Sequence, residues 1–221
     1  MIATIEQQAT RLSRRDARQR MYEELILEGA EREFARVGFA DTKVQDIART
    51  SDVSLATVYK TFAGKGAIYD AVHGKRMTEL IEFSTGSLGA IASPLDRLLA
   101  AVAKQVEYFA DHPNYLRIHI RDGVSWATAS GISGINRQTA VETWRAGIAM
   151  MTDGIEAAID SGEMVAMRPE LLTQLVIAAL QIWLTDWIEA EVSIAPAIVA
   201  AELVEYLRRS FGQADPLSRR S

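Results

Sequence analysis

The chain has 221 residues, 48% hydrophobic and 24% charged, with 5 prolines and no cysteine; it builds one large or two small domains and excludes a disordered, collagen-like or low-complexity chain. Lacking cysteine, it excludes a disulfide scaffold, a Cys-ligated zinc or iron–sulfur site and a thiol nucleophile, which fits a cytoplasmic protein. The formal charge of −5 argues against coating nucleic acid over the whole surface, yet residues 1–75 carry 12 basic against 11 acidic residues while 76–221 carry 12 against 18.

Residues 11–20 hold Arg11, Arg14, Arg15, Arg18 and Arg20 against one acid, so a polyanion is expected to meet this end. Two readings stand for residues 1–17: a basic arm reaching into a minor groove or onto phosphates, or a solvated tail. No early apolar run followed by a small-residue cleavage site marks a signal peptide. Polar/apolar alternation does not recur, whereas spacings of three and four do, and the chain reads as all-α. Tyr22, Ile26, Ala30, Phe34 and Val37 form one stripe ended by Gly38, which predicts a helix over 18–37. Thr42 and Gln45 match the capping box of a short helix over 43–50, and Ser54 caps another over 55–61. A fourth helix runs over 65–83 and leads to Gly86, Gly89, Ser93 and Pro94, the expected hinge or boundary.

Longer helices are predicted over 95–110, 137–161, 169–190 and 196–211. Residues 113–135 carry mixed signals, with Pro113 and the glycines at 123, 131 and 134 suggesting short helices with breaks. The most apolar stretch, 171–188, is interrupted by Thr173, Gln174, Gln181, Thr185 and Asp186, which reads as too polar to span a bilayer, so no membrane partner is expected.

Val44, Ala48, Asp52 and Val58 have the spacing of a helix-turn-helix: an apolar anchor, a small residue where the second helix approaches, a residue tolerant of the left-handed conformation, and a second anchor. The exposed face of the third helix is then Leu55, Ala56, Thr57, Tyr59 and Lys60. Thr57 and Lys60 reach base edges or phosphates, Ala56 packs on a thymine methyl, and Tyr59 bonds a phosphate. Thr42, Lys43 and Lys65 are placed where phosphates dock at helix starts. Three-helix packings without DNA are the competing interpretation of these positions.

The run over 38–72 resembles the DNA-binding domain of the TetR family of transcriptional regulators, through Gly38, Phe39, Thr42, Ile47, Ala48, Val53, Ser54, Tyr59, Phe62 and Lys65. Departures are Asp52 where the family often has Gly, Ala56 where Gly is frequent, and Gly66 where an acid usually follows the lysine. The resemblance covers about 20–75 in detail and otherwise only the helical layout. It implies residues 18–75 as a three-helix DNA-binding domain and 76–221 as a larger helical domain for ligand binding and dimerisation. A homodimer binding a pseudo-palindromic double-stranded DNA operator, with a small-molecule effector that changes the separation of the recognition helices, is the regulator so implied, and the repressor form is expected.

The stretch 171–188 and the stripe Val199, Leu203, Tyr206, Leu207 and Ser210 are candidates for a four-helix dimer interface, or are buried within one subunit. Candidates for a ligand pocket are Phe109, Tyr115, His119, Trp126, Trp144, Met150, Met151, Trp183 and Trp187, each also a plausible core residue, with the last two alternatively in a dimer core. His73, His112 and His119 form no metal-ligating spacing, no phosphate or nucleotide fingerprint occurs, and Asp160/Glu163 reads as a solvated helix face; no cofactor, metal or catalytic residue is expected. A helical ligand-binding protein with a vestigial DNA-binding domain and a small all-α enzyme are the alternatives. Salt-dependent, sequence-selective DNA binding separates the regulator from both.

Overall fold

The structure, a computed structural model, describes residues 2–121, 126, 138–190 and 194–213, with side chains from 15 in the first stretch and from 141 in the third. Every regular element among them is helical, and the chain divides into two compact units between His73 and Gly74.

In the first unit, α1 (Ile2–Asp41) starts sixteen residues before the predicted helix. The sequence ahead of Arg18 is rich in alanine, glutamine and arginine, good helix formers, so the stretch expected as an arm continues the helix. Arg15, Arg18 and Arg20 are exposed on it, and the side chains of Arg11 and Arg14 lie outside the described residues. Helical geometry breaks where expected, at Gly38, whose φ of 83° favours glycine. The short helices α2 (Val44–Thr50) and α3 (Leu55–Thr61) pack against α1 and each other. Ile26, Ala30, Phe34, Ile47 and Val58 of these helices are fully buried, as is Ile68 further along the chain. Phe34, Phe39 and Tyr69 form an aromatic triangle, with Tyr69 edge-on to Phe34 at 5.2 Å and to Phe39 at 4.8 Å between ring centroids.

The four helix-turn-helix positions take the places their spacing demands. Val44, Ala48 and Val58 are buried, and Asp52 sits in the turn with φ 52°. Because a β-branched residue clashes in that conformation, Asp52→Val should cost about 1–2 kcal/mol, whereas Asp52→Gly should leave the unfolding midpoint unchanged or raised. Urea titrations of the two variants check this, and equal losses would contradict it.

The division between the units falls inside α4 (Lys65–Thr85). A 3-10 turn (Leu88–Ala90) leads to α5 (Pro94–Asp111), α6 (Pro113–Arg121), α7 (Gln138–Asp160), α8 (Pro169–Glu189) and α9 (Pro196–Phe211). α6 resolves the mixed signals after Pro113, while the glycines at 123, 131 and 134 lie outside the described residues. The core of the second unit is built where α5 meets α7 and α9 and where α7 meets α8. Contrary to the expectation that polar interruptions make it unsuitable, α8 is long and apolar enough to cross a membrane by length and composition. Here its apolar side serves the core, with Leu172, Val176, Leu180 and Leu184 buried, as in the core helix of a soluble domain.

Glu163, expected on a solvated face, caps α5 instead. Its Oε2 accepts from the Ser93 hydroxyl and, at 3.2 Å, from the Leu95 amide, placing a negative charge at the positive end of the helix. An ion pair of 2.6 Å between Arg208 and Asp96 fastens α9 to the same turn of α5.

Candidate functional site

The first half of the site is the surface of α3. Ser54 is its N-cap, the hydroxyl accepting from the Thr57 amide at 3.0 Å and lying 2.8 Å from the Thr57 hydroxyl. With Val58 fully buried, the outward positions are Leu55, Ala56, Tyr59 and Lys60, all exposed, and Tyr59 is 53% exposed. Thr57 is half-buried beside them. Lys43 is exposed at the N-cap of α2. One short helix therefore presents a phenol, an ammonium, a hydroxyl and small apolar groups on one side, the set that contacts phosphates and major-groove edges.

Thr42 and Lys65 differ from their expected geometry. Thr42 makes no capping box: Lys43 is the N-cap of α2 and no side chain caps it. The left-handed turn at Gly38 aims the buried Thr42 hydroxyl back along α1, where it donates to the Gly38 carbonyl at 2.7 Å and the Glu33 carbonyl at 3.3 Å. Lys65 donates to the Phe39 and Ala40 carbonyls at 2.6 and 3.0 Å and lies over the Phe39 ring. An ammonium there neutralises the exposed carbonyls at the end of α1, and two of its three donors are used inside the protein. Lys104 repeats the device at the end of α4, donating to the Gly86 carbonyl at 2.8 Å.

Residues that sequence reading passed over hold the end of α2 against α1. Glu33, buried on α1, accepts from the Thr50 hydroxyl at 2.5 Å and from the Arg36 guanidinium at 2.6 and 3.1 Å, while Arg32 donates to the Thr50 carbonyl at 3.1 Å. Burial acts to raise the Glu33 pKa, but the Thr50 hydroxyl and the Arg36 charge outweigh it and hold the carboxyl below the usual carboxylate range. Gly29 is where the end of α2 touches α1: a Cβ there would lie 2.0 Å from the Ser51 Oγ.

The second half of the site is a cavity of about 260 Å³ inside the second unit. Of the residues nominated by type, Phe109, Trp126, Trp144, Met150 and Met151 line it. Tyr115 and His119 do not. They are buried behind the wall, where Tyr115 stacks on Phe109 at 6.1 Å and the His119 ring lies 5.4 Å from Trp126 and 5.1 Å from Trp144. Burial pushes the His119 pKa down to about 3, so its ring is neutral. Trp183 lies off the cavity, 4.9 Å from Tyr206, and Trp187 is buried with its indole donating to the Ile194 carbonyl at 2.9 Å. Lining residues that sequence reading missed include Met77, Ile81, Ser84, Arg97 and Gln105. The first three recur at helical spacing along α4, a signal that was present but pointed only to a core face. Among the described residues no three side chains are grouped to hold a metal ion.

A helix-turn-helix with a polar, exposed second helix, followed by a separate helical unit, defines a class of DNA-binding protein. Residues 26–72 match the family described as bacterial regulatory proteins, tetR family. The HTH-type transcriptional repressor SCO4008 of Streptomyces coelicolor is 30% identical over 154 residues, 70% of this chain and 74% of that protein. The chain belongs to the TetR family and is a DNA-binding transcriptional regulator. A bacterial regulatory protein of the family from Rhodococcus RHA1 has the same fold, with a TM-score of 0.74, 24% identity and coverage of 88% of this chain and 98% of that one. So does the transcriptional regulator FadR from Bacillus subtilis in complex with stearoyl-CoA, with a TM-score of 0.69, 19% identity and coverage of 83% and 96%.

Proposed function

We propose that the protein is a cytoplasmic repressor that binds a pseudo-palindromic operator as a homodimer and releases it when a small, mostly apolar ligand enters the cavity of the second unit. The observation that carries the reading is α3: Val58 anchors the helix from below while Tyr59, Lys60 and Ala56 stand exposed above. A relative named as a repressor supports the sign of regulation. The mechanism is a population shift, in which a ligand preferring the DNA-incompetent conformation by about 1.4 kcal/mol lowers operator affinity tenfold. α4, helical from Lys65 through the lining residues Met77 and Ile81, is the element through which the two functions couple.

The dimer surface differs in detail from the stripe expected on α9. Val199, Leu203 and Leu207 are buried in the core of their own subunit. Of the expected positions Tyr206, with Leu175 and Ile182 of the 171–188 stretch, stands exposed, joined by Ile198, and Ile182 is 63% exposed. Large apolar side chains left in water on two packed helices favour a helical interface between copies.

The test is selection of bound sequences from a random DNA library by the purified protein, followed by titration of the winner at two salt concentrations. A pseudo-palindrome with half-sites about one helical turn apart is expected; enrichment of no sequence, with only weak salt-labile binding, would overturn the reading. Within the selected site, Tyr59→Phe should weaken every sequence similarly, as loss of a phosphate contact does. Thr57→Ala should instead relax preference at one or two positions of each half-site, and unchanged base preference would remove Thr57 from the base-reading set.

A further inference from the structure

Resting on the reading of the cavity as the effector site, we propose that its ligand is a compact amphipathic anion, with an apolar body among the aromatic and methionine side chains and one carboxylate-like group held by Arg97. Among the described residues, Arg97 is the one charged side chain on a wall otherwise made mostly of apolar groups such as Met77, Leu98 and Ile148, and no carboxylate lines the cavity. Among the described residues Arg97 forms no ion pair. Its Nη1 donates to the Ile91 carbonyl at 3.0 Å, which occupies one of five guanidinium donors. A half-buried guanidinium beside apolar surface, without an acid, is an unmatched charge that a bidentate carboxylate complements in both geometry and sign.

A second polar group points the same way. Among the described residues the indole N–H of Trp126, 2% exposed in the cavity wall, has no acceptor, whereas that of Trp144 donates to the Trp126 carbonyl at 2.8 Å. Buried donors normally find partners, so an acceptor on the ligand at this aromatic side accounts for it. The volume of about 260 Å³ lies just below the usual range for small-molecule pockets, about 300–1,000 Å³. A bicyclic aromatic acid suits that space better than a long acyl chain.

Isothermal titration of the full-length protein with 2-naphthoate, with its neutral counterpart 2-naphthalenemethanol and with stearate tests the assignment. The acid should bind about tenfold or more tightly than the alcohol, and stearate more weakly than the acid. In Arg97→Gln the advantage of the acid should fall to within about twofold, while Arg97→Lys, which keeps a charge and a donor for the Ile91 carbonyl, should retain most of it. Equal binding of acid and alcohol, or an advantage that survives in Arg97→Gln, would overturn the anion assignment and leave the cavity reading standing. Tighter binding of stearate would overturn the compact body. Binding of none of the three probes would overturn both the ligand class and the cavity reading.

Discussion

Gly29→Ala is expected to destabilise the DNA-binding unit by about 2–3 kcal/mol, although alanine is the better helix former by about 1 kcal/mol in an exposed helix. The reason is the approach of the turn after α2. A Cβ at Gly29 would meet the Ser51 Oγ at 2.0 Å, the Ser51 amide nitrogen at 3.0 Å and the Ser51 Cβ at 3.1 Å. Rotating the serine hydroxyl relieves only the first of these, and the other two require the turn itself to move off α1. The turn fixes the angle at which α3 leaves α2, so operator affinity should fall with stability. Urea unfolding measures the loss, and the double variant Gly29→Ala/Ser51→Gly should recover more than half of it, because two of the three contacts disappear. A gain of about 1 kcal/mol in the single variant, as propensity alone predicts, would show that the turn does not press on α1.

Gly29 also marks the limit of what local patterning conveys. Val44, Ala48, Asp52 and Val58 were legible because each role is set by spacing within one short segment. The exposed set on α3 followed from the same register. Thr42 was misread for a geometric reason: a capping box is a sequence pattern, but the left-handed turn at Gly38 aims the hydroxyl backwards. The intramolecular partners of Lys65, the carbonyls of Phe39 and Ala40, were not legible because they are distant in sequence.

The cavity repeats the lesson. Aromatic and methionine residues could be nominated by type, and five of those named line it. Type does not distinguish a wall from the layer behind it, which is why His119 and Tyr115 were grouped with Trp126 and Trp144. Arg97 went unnoticed because an arginine in the first turn of an amphipathic helix reads as a surface residue. Only the convergence of α4, α5 and α7 brings it onto an apolar cavity.

Glu33→Gln should cost about 2 kcal/mol at neutral pH, the range for a buried hydrogen bond to a charged group. Its carboxylate holds the Thr50 hydroxyl and the Arg36 guanidinium at once, and glutamine keeps the shape while losing the charge. The pH dependence separates charge from packing. A carboxyl held below its unfolded value contributes stability that is fully present above the unfolded pKa, about 4.3, and is lost as pH falls through the folded value. The wild type should therefore lose stability on acidification more steeply than Glu33→Gln, and the gap between their urea midpoints should narrow below about pH 4. A gap independent of pH would assign the effect to the amide's fit rather than to the charge. Because the Glu33 contacts end on Thr50, the last residue of α2, the same acidification should weaken operator binding before the second unit unfolds.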